Sequence, residues 1–203
     1  MKLDEIREHI GYQPVLLGIV ALVASAALAM AAGSTGEAIA AAEAKDLRDS
    51  LAEVLPAGLA DNDFLKDTLA IDKAGKPVTI YRARHAGAVK AAVFQVAERG
   101  YAGEISILMA VDAEGHTLGV RVLKHTETPG LGDKIEVKKD PWVKAFDGKS
   151  LGDPAPERWG VKKDGGVFDQ FSGATITPRG VVAAIRHGLE FYAENQSKLL
   201  EVR

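Results

Sequence analysis

The chain has 203 residues, 47% of them hydrophobic, and a formal net charge of −3. That balance offers no basic footprint for a nucleic acid, and the length allows one compact domain with accessories. With no cysteine anywhere, disulfides, thiolate zinc sites, iron–sulfur ligation and a cysteine nucleophile are excluded.

Between Ile10 and Gly36 there is no charged residue, and Val15 to Ala32 is almost wholly aliphatic. Such a run is long enough for a helix crossing the hydrocarbon core, which takes roughly 20 apolar residues. A cleaved signal peptide is the competing reading, because Ala27-Leu28-Ala29 and Ala29-Met30-Ala31 both have the small-x-small form of a cleavage site. The acidic residues Asp4, Glu5 and Glu8 in the head of the chain favour an uncleaved anchor. Lys2 and Arg7 precede the segment and Lys45 is the first basic residue after it, so the positive-inside rule leans toward an outside C-terminal part. The expected division is a cytoplasmic tail at 1–9, a transmembrane helix at 10–34, a helical connector at 35–75 and an extracytoplasmic domain at 76–203.

The remainder reads as one soluble α+β domain, an antiparallel sheet packed by helices. Glu37 to Leu55 is alanine-rich and suits a helix, which Pro56 stops. Asp61-Asn62-Asp63 can cap a short helix after it. Val78 to Tyr81 and Val89 to Val96 read as strands. Ile105, Ile107, Met109 and Val111 alternate as in a half-buried strand. With the turn Asp112 to Gly115 and the alternation Leu118, Val120, Val122, they make 104–124 a β-hairpin. Pro141 to Phe146 suits a short helix capped by Asp140, and 149–166 reads as a long surface loop. Val182, Ile185, Leu189 and Tyr192 share one face of a C-terminal helix, expected to pack on the hairpin sheet.

Three segments can carry chemistry. In Asp169-Gln170-Phe171-Ser172-Gly173-Ala174-Thr175-Ile176-Thr177-Pro178 a small, hydroxyl-rich loop runs into a helix start. Unpaired amides and the helix dipole make such a start an anion site. Thr177 before Pro178 is equally what an N-cap with proline at the first helical position looks like, and both readings stay open on spacing alone. In His125-Thr126-Glu127-Thr128-Pro129-Gly130-Leu131-Gly132 the glycines let backbone approach a ligand, or simply make a demanding turn. His125 and Glu127 lack an evident third ligand, so no metal site is expected. In Gly100-Tyr101-Ala102-Gly103-Glu104, Gly103 either opens a strand or admits a flat ring beside Tyr101. Lys162 and Lys163 form a solvated charge pair, or one of them reaches a phosphate. Trp142 and Trp159 are read as packing residues, and His85, His116 and His187 as surface residues.

Asp-x-x-Ser-Gly-Ala-Thr resembles the recognition motif of periplasmic flavin transferases, which join the phosphate of FMN to the motif threonine. Together with the N-terminal anchor, Gly-Tyr-Ala-Gly-Glu-Ile and His-Thr-Glu-Thr-Pro-Gly-Leu-Gly, it makes the chain similar to RnfG, the flavin-carrying component of the Rnf electron-transport complex. The FMN-binding domain of that family is shared with NqrC of the sodium-pumping NADH:quinone reductase. The resemblance implies covalent FMN on Thr175, with Ser172, Gly173, Ala174 and Thr177 around its phosphate. It places Glu127, Thr128, Leu131, Lys162 and Gly103 around its ring. It implies an electron relay without stand-alone catalysis, in a single-pass protein of the inner membrane with its flavin domain on the periplasmic side. The implied partners are the other membrane proteins of the complex and a flavin transferase during maturation. Alternatives are the quinone-reductase component, a stand-alone membrane-anchored flavin reductase, and a structural component without flavin.

Overall fold

The computed structural model describes residues 12–63, 65–73 and 75–201; the expected tail at 1–9 lies outside them. Residues up to Asp46 form one unit and those from Leu47 onward another.

The aliphatic run becomes the first part of α1, Tyr12–Val54, a helix of 43 residues. Its stretch Tyr12–Ala32 is the one candidate membrane span among the described residues, with a mean hydropathy of 2.5. At 1.5 Å per residue those 21 residues span about 31 Å, the thickness of the hydrocarbon core. Val15, Leu17, Leu22 and Leu28 project outward along it.

The second unit is built on a sheet. Among its described residues β1 (Thr68–Lys73), β2 (Lys76–His85), β3 (Ala88–Arg99), β4 (Glu104–Asp112) and β5 (Thr117–Lys124) follow one another as an antiparallel meander in sequence order. Period-2 alternation directs the side chains to two covered faces. Phe94, Val96, Ile105, Ile107 and Met109 lie under α2, Ile176–Leu199. That helix lays Val182, Ile185, Leu189 and Tyr192 on the sheet, the face expected from their spacing. The opposite face carries Ala83, Ala91, Val93, Leu108 and Ala110, and the last turn of α1 covers it with Leu51 and Val54. Gly119 admits that turn: a Cβ there would stand 2.6 Å from the Val54 carbonyl oxygen. Arg121 then donates to the Glu53 carbonyl at 3.0 Å, a cation at the helix's negative end.

Several expectations are corrected. The span 35–75 is helical only as far as Val54, and its end is a strand of the sheet. Among the described residues no helix follows Asp61-Asn62-Asp63. Asn62 instead accepts from Arg84 N and donates to the Arg82 carbonyl, both at 2.8 Å, and so ties the segment to β2. β4 is buried on both faces rather than half-buried, because the end of α1 covers the side bearing Ser106 and Ala110. The 149–166 loop is partly interior. Trp159 and Val161 are buried, and Val161 bridges Phe168 between the short 3-10 helices Pro156–Arg158 and Lys162–Asp164.

Asp67 anchors this edge of the sheet. Its carboxylate accepts from Arg82 Nε at 2.7 Å and from Arg84 Nε. Burial alone would raise its pKa, but the hydrogen bonds and charges of Arg84 and Arg82 outweigh it and hold the group below its ordinary value of 3.8. The stability it contributes is therefore complete above that value and is lost as pH falls through the lower folded value. Asp67→Asn should destabilise the domain at pH 7 by about 1–3 kcal/mol, since two largely shielded guanidinium donors lose a charged acceptor. Thermal unfolding should show the gap between variant and wild type closing below pH 4 (approximate, from the unfolded carboxyl).

Candidate cofactor site

Three loops meet at the start of α2. The β3–β4 turn Gly100–Gly103 closes on itself through Gly100 N donating to the Gly103 carbonyl at 2.7 Å. The loop after β5 turns at Thr128, whose carbonyl accepts from Leu131 N at 3.2 Å and from Gly132 N at 3.0 Å. Gly130 takes the positive φ of 78° that this turn needs. The third loop, Asp169 to Thr175, carries Gly173 at φ 81°, and Ala174 N donates to the Phe171 carbonyl at 3.1 Å.

Glu127 joins the first two loops to the start of α2. It is only 4% exposed. Its Oε1 accepts from Ala102 N at 3.1 Å, and its Oε2 accepts from the Thr177 hydroxyl. Gly132 and Gly100 pack so closely that a Cβ on either would strike this carboxylate or its partners, at 2.9 Å from Thr177 Oγ1 and 2.5 Å from Glu127 Oε1 respectively. A side chain expected to line a ring therefore has both oxygens engaged by protein donors. His125 does not join it in a ligand pair. Its Nδ1 accepts from Glu127 N at 3.1 Å, and its Nε2 faces Glu136 at 3.0 Å. Lys139 reaches Glu136 at 2.6 Å and Asp133 at 2.9 Å. Hydrogen bonds from Lys139 and from Gly130 N–H depress the Asp133 pKa, so this loop is held by ionised carboxylates at neutral pH.

Thr177 is not the N-cap. α2 begins at Ile176, Thr175 occupies the cap position without a side-chain cap bond, and Thr177 is 1% exposed inside the first turn. A tertiary acceptor fifty residues away won over the local Thr-Pro pattern. The first intrahelical bond runs from Arg179 N to the Thr175 carbonyl. The amides of Ile176 and Thr177 thus have no intrahelical acceptor, and Pro178 has no N–H. Thr175 is half-buried, while Ser172 and Gly173 are exposed.

The other expected residues sort as follows. Leu131 lies against the motif, with its Cδ2 3.6 Å from where a Gly173 Cβ would stand, and Thr128 is exposed on the same loop. Gly103 has its open side filled by Thr126 Oγ1, so a neighbouring side chain takes the space expected for a ring. Lys162 is exposed, as a solvated lysine would be, but it also forms an ion pair. It contacts the motif carboxylate Asp169 at 2.6 Å, both side chains being more than half exposed. Trp142 is buried as expected and fixes the same loop from the other side, donating through Nε1 to the Asp169 carbonyl at 2.8 Å. Beside Trp142 a cleft of about 440 Å³ is lined by Asp140, Trp142, Asp169, Phe171 and Ser172 among others. A larger cavity, between the β1–β2 hairpin and α2, takes Glu104 from the Gly100 to Glu104 segment and nothing from the Asp169 to Thr175 loop.

Ile176 was not singled out by the sequence. Beyond α1, the large apolar side chains left exposed among the described residues are Tyr101, Leu123, Leu131 and Ile176. Tyr101 and Leu131 stand on the loops that Glu127 ties to α2, and Ile176 is the first residue of that helix. Exposed apolar groups gathered at one place mark a ligand or partner site. The donor set there is unspent amides, hydroxyls and a helix dipole. It suits a phosphate, and the apolar side chains beside it suit a flat aromatic ring.

Residues 100–190 match the family described as the FMN-binding domain, and that span contains all three loops and the start of α2. Two curated relatives are each named as the G component of an ion-translocating oxidoreductase complex. The one from Cereibacter sphaeroides is 52% identical, over 92% of this chain and 85% of its own. The one from Stutzerimonas stutzeri is 46% identical, over 94% of this chain and 84% of its own. The chain belongs to this RnfG family. Among solved structures, Shewanella oneidensis NqrC aligns over 70% of this chain and 72% of its own, with 26% identity and a TM-score of 0.48.

Proposed function

We propose that this protein is a membrane-anchored electron carrier of an ion-translocating oxidoreductase complex of the ferredoxin:NAD type, holding FMN as a phosphoester on Thr175. The observation that carries the reading is the contrast at the start of α2. One threonine hydroxyl is half-buried and makes no cap bond, beside unspent amides and three exposed apolar side chains. Bound there, FMN supplies one- and two-electron redox chemistry.

The chain's own part is to hold, orient and tune. The amides of Ile176 and Thr177 and the dipole of α2 stabilise the phosphate's negative charge. Ser172, Gly173 and Ala174 keep the loop small enough for the phosphate to approach. Leu131, Tyr101 and Ile176 give the ring apolar contact, with Thr128 and Gly103 at its border and Glu127 behind them. Lys162, held by Asp169, lies near enough in sequence and fold to add positive charge. No side chain has to act as an acid or base on an organic substrate. Tyr12–Ala32 anchors the protein in the inner membrane, and the basic residues before it put the flavin domain on the periplasmic side. Its partners are the other membrane proteins of the complex and, during maturation, a flavin transferase.

The test is intact mass. Full-length protein co-expressed with a flavin transferase should gain one FMN moiety and keep flavin fluorescence after denaturation. A bare polypeptide from a transferase-positive host sinks the reading.

A further inference from the structure

We infer that Glu127 is a positioning residue for flavin attachment: its two hydrogen bonds clamp the first turn of α2 so that the Thr175 hydroxyl is presented to the modifying enzyme. This rests on the functional reading above and adds to it a residue with an assigned task. Glu127 lies outside the transferase motif, yet among the described residues it is the one side chain that binds both the β3–β4 turn, through Ala102 N, and the helix start, through Thr177 Oγ1. The clamp is tight on both sides. Gly100 and Gly132 leave no room for a Cβ against it, and Gly180 brings α2 within 2.7 Å of the Arg99 carbonyl, measured from where its own Cβ would be. Thr177 is one helical position from Ile176 and two from Thr175. Fixing its hydroxyl therefore fixes the rotation of the turn that carries the acceptor. It also withdraws the Thr177 hydroxyl itself, which is buried and already donating.

The step this serves is a phosphoryl-group transfer. A flavin dinucleotide provides the activated phosphate. The Thr175 hydroxyl oxygen forms the new bond to the flavin-side phosphorus, and the pyrophosphate P–O bond breaks. A nucleoside monophosphate leaves with the bridging oxygen, and the hydroxyl proton passes to a base of the transferase. Nothing is oxidised or reduced. Orientation of an acceptor is where such a transfer gains rate.

The experiment measures the rate of flavin incorporation into full-length, detergent-solubilised protein by a flavin transferase given flavin dinucleotide, with thermal unfolding in parallel. Glu127→Ala and Thr177→Val should slow incorporation at least tenfold. Glu127→Gln should stay within about threefold, because its amide oxygen can accept from Ala102 N while its amide nitrogen donates to Thr177 Oγ1. Thr177→Ser should likewise stay close to wild type. Leu51→Ala, a core change on the opposite face of the sheet, should lower the melting temperature without slowing incorporation. The clamp is overturned if Glu127→Ala is modified at the wild-type rate, if Glu127→Gln is as slow as Glu127→Ala, or if Leu51→Ala slows as much as either. Should Glu127→Ala not fold, the Thr177→Val and Thr177→Ser pair decides. A wild-type chain that takes no flavin overturns the functional reading instead. Amide hydrogen exchange at Ala102 then reads the clamp alone, and unchanged protection in Thr177→Val and Glu127→Ala overturns it.

Discussion

Thr175→Ala will return from co-expression with a flavin transferase at the mass of the bare chain, while Thr177→Ala will reach one FMN per chain at the end point, attached to Thr175. The two threonines stand two residues apart and differ in everything that matters to phosphoryl transfer. Thr175 is half-buried and its hydroxyl makes no cap bond. Thr177 is 1% exposed, and its hydroxyl is committed to a carboxylate. Removing the Thr175 hydroxyl deletes a nucleophile and little else. An N-cap exchange typically costs ~1 kcal/mol when the side chain caps, and here it does not, so the folded domain should melt close to wild type. Removing the Thr177 hydroxyl has the opposite profile. It leaves one oxygen of a buried carboxylate without its donor, which costs about 1–3 kcal/mol, or roughly 2–4 °C of melting temperature per kcal/mol at this size. Modification and stability thus separate across two neighbouring residues. Peptide mass mapping alongside thermal unfolding checks both. Flavin found on Thr177 in the Thr175→Ala chain would contradict the assignment.

Gly166→Ala should be among the most damaging single-methyl additions in the domain. Gly166 and Gly160 face each other across the loop between Trp159 and Phe168, and a Cβ on Gly166 would fall within the backbone of Gly160. Neither side can yield cheaply. Gly166 N donates to the Val161 carbonyl at 3.0 Å, and Phe168 N donates to the Gly160 carbonyl at 3.2 Å. Shifting them moves Phe168 off Phe146, whose rings are stacked at 4.4 Å, and off Trp159 at 5.3 Å. Overpacking of this kind costs typically 1–3 kcal/mol and more where backbone must move; about 3 kcal/mol is expected, near 6–12 °C in the melting curve. The same loop carries Lys162 and leads into Asp169, so flavin incorporation should fall as well. A variant that melts like wild type would mean that the loop can re-route without its aromatic anchor.

Much of the fold could be read from local pattern. The apolar run at Tyr12–Ala32, the 104–124 hairpin, the Asp140-capped turn and the apolar face of α2 each depend on residues close in sequence. Their periodicity and cap chemistry are enough to specify them. β1 escaped because Thr68 to Lys73 is short and its apolar run Leu69-Ala70-Ile71 covers only three residues. It becomes a strand through Asp67 and Asn62, whose partners Arg82 and Arg84 are far along the chain. The depth of β4 escaped for a related reason: small residues on its second face look solvent-facing until a distant helix end covers them.

At the site the division is sharper. Composition and motif spacing marked the three loops and the helix start behind the last of them, because those are properties of contiguous residues; Thr175 as a flavin acceptor is what the resemblance of its motif implies. Only the folded chain decided which hydroxyl is free, since the answer depends on where the carboxylate of Glu127 lands, fifty residues from Thr177. It likewise decided that Lys162 meets Asp169 and that Ile176, Leu131 and Tyr101 are left exposed. Hydrogen bonds and exposure are pairwise quantities between distant segments, and a one-dimensional pattern holds no record of them until packing brings the partners together.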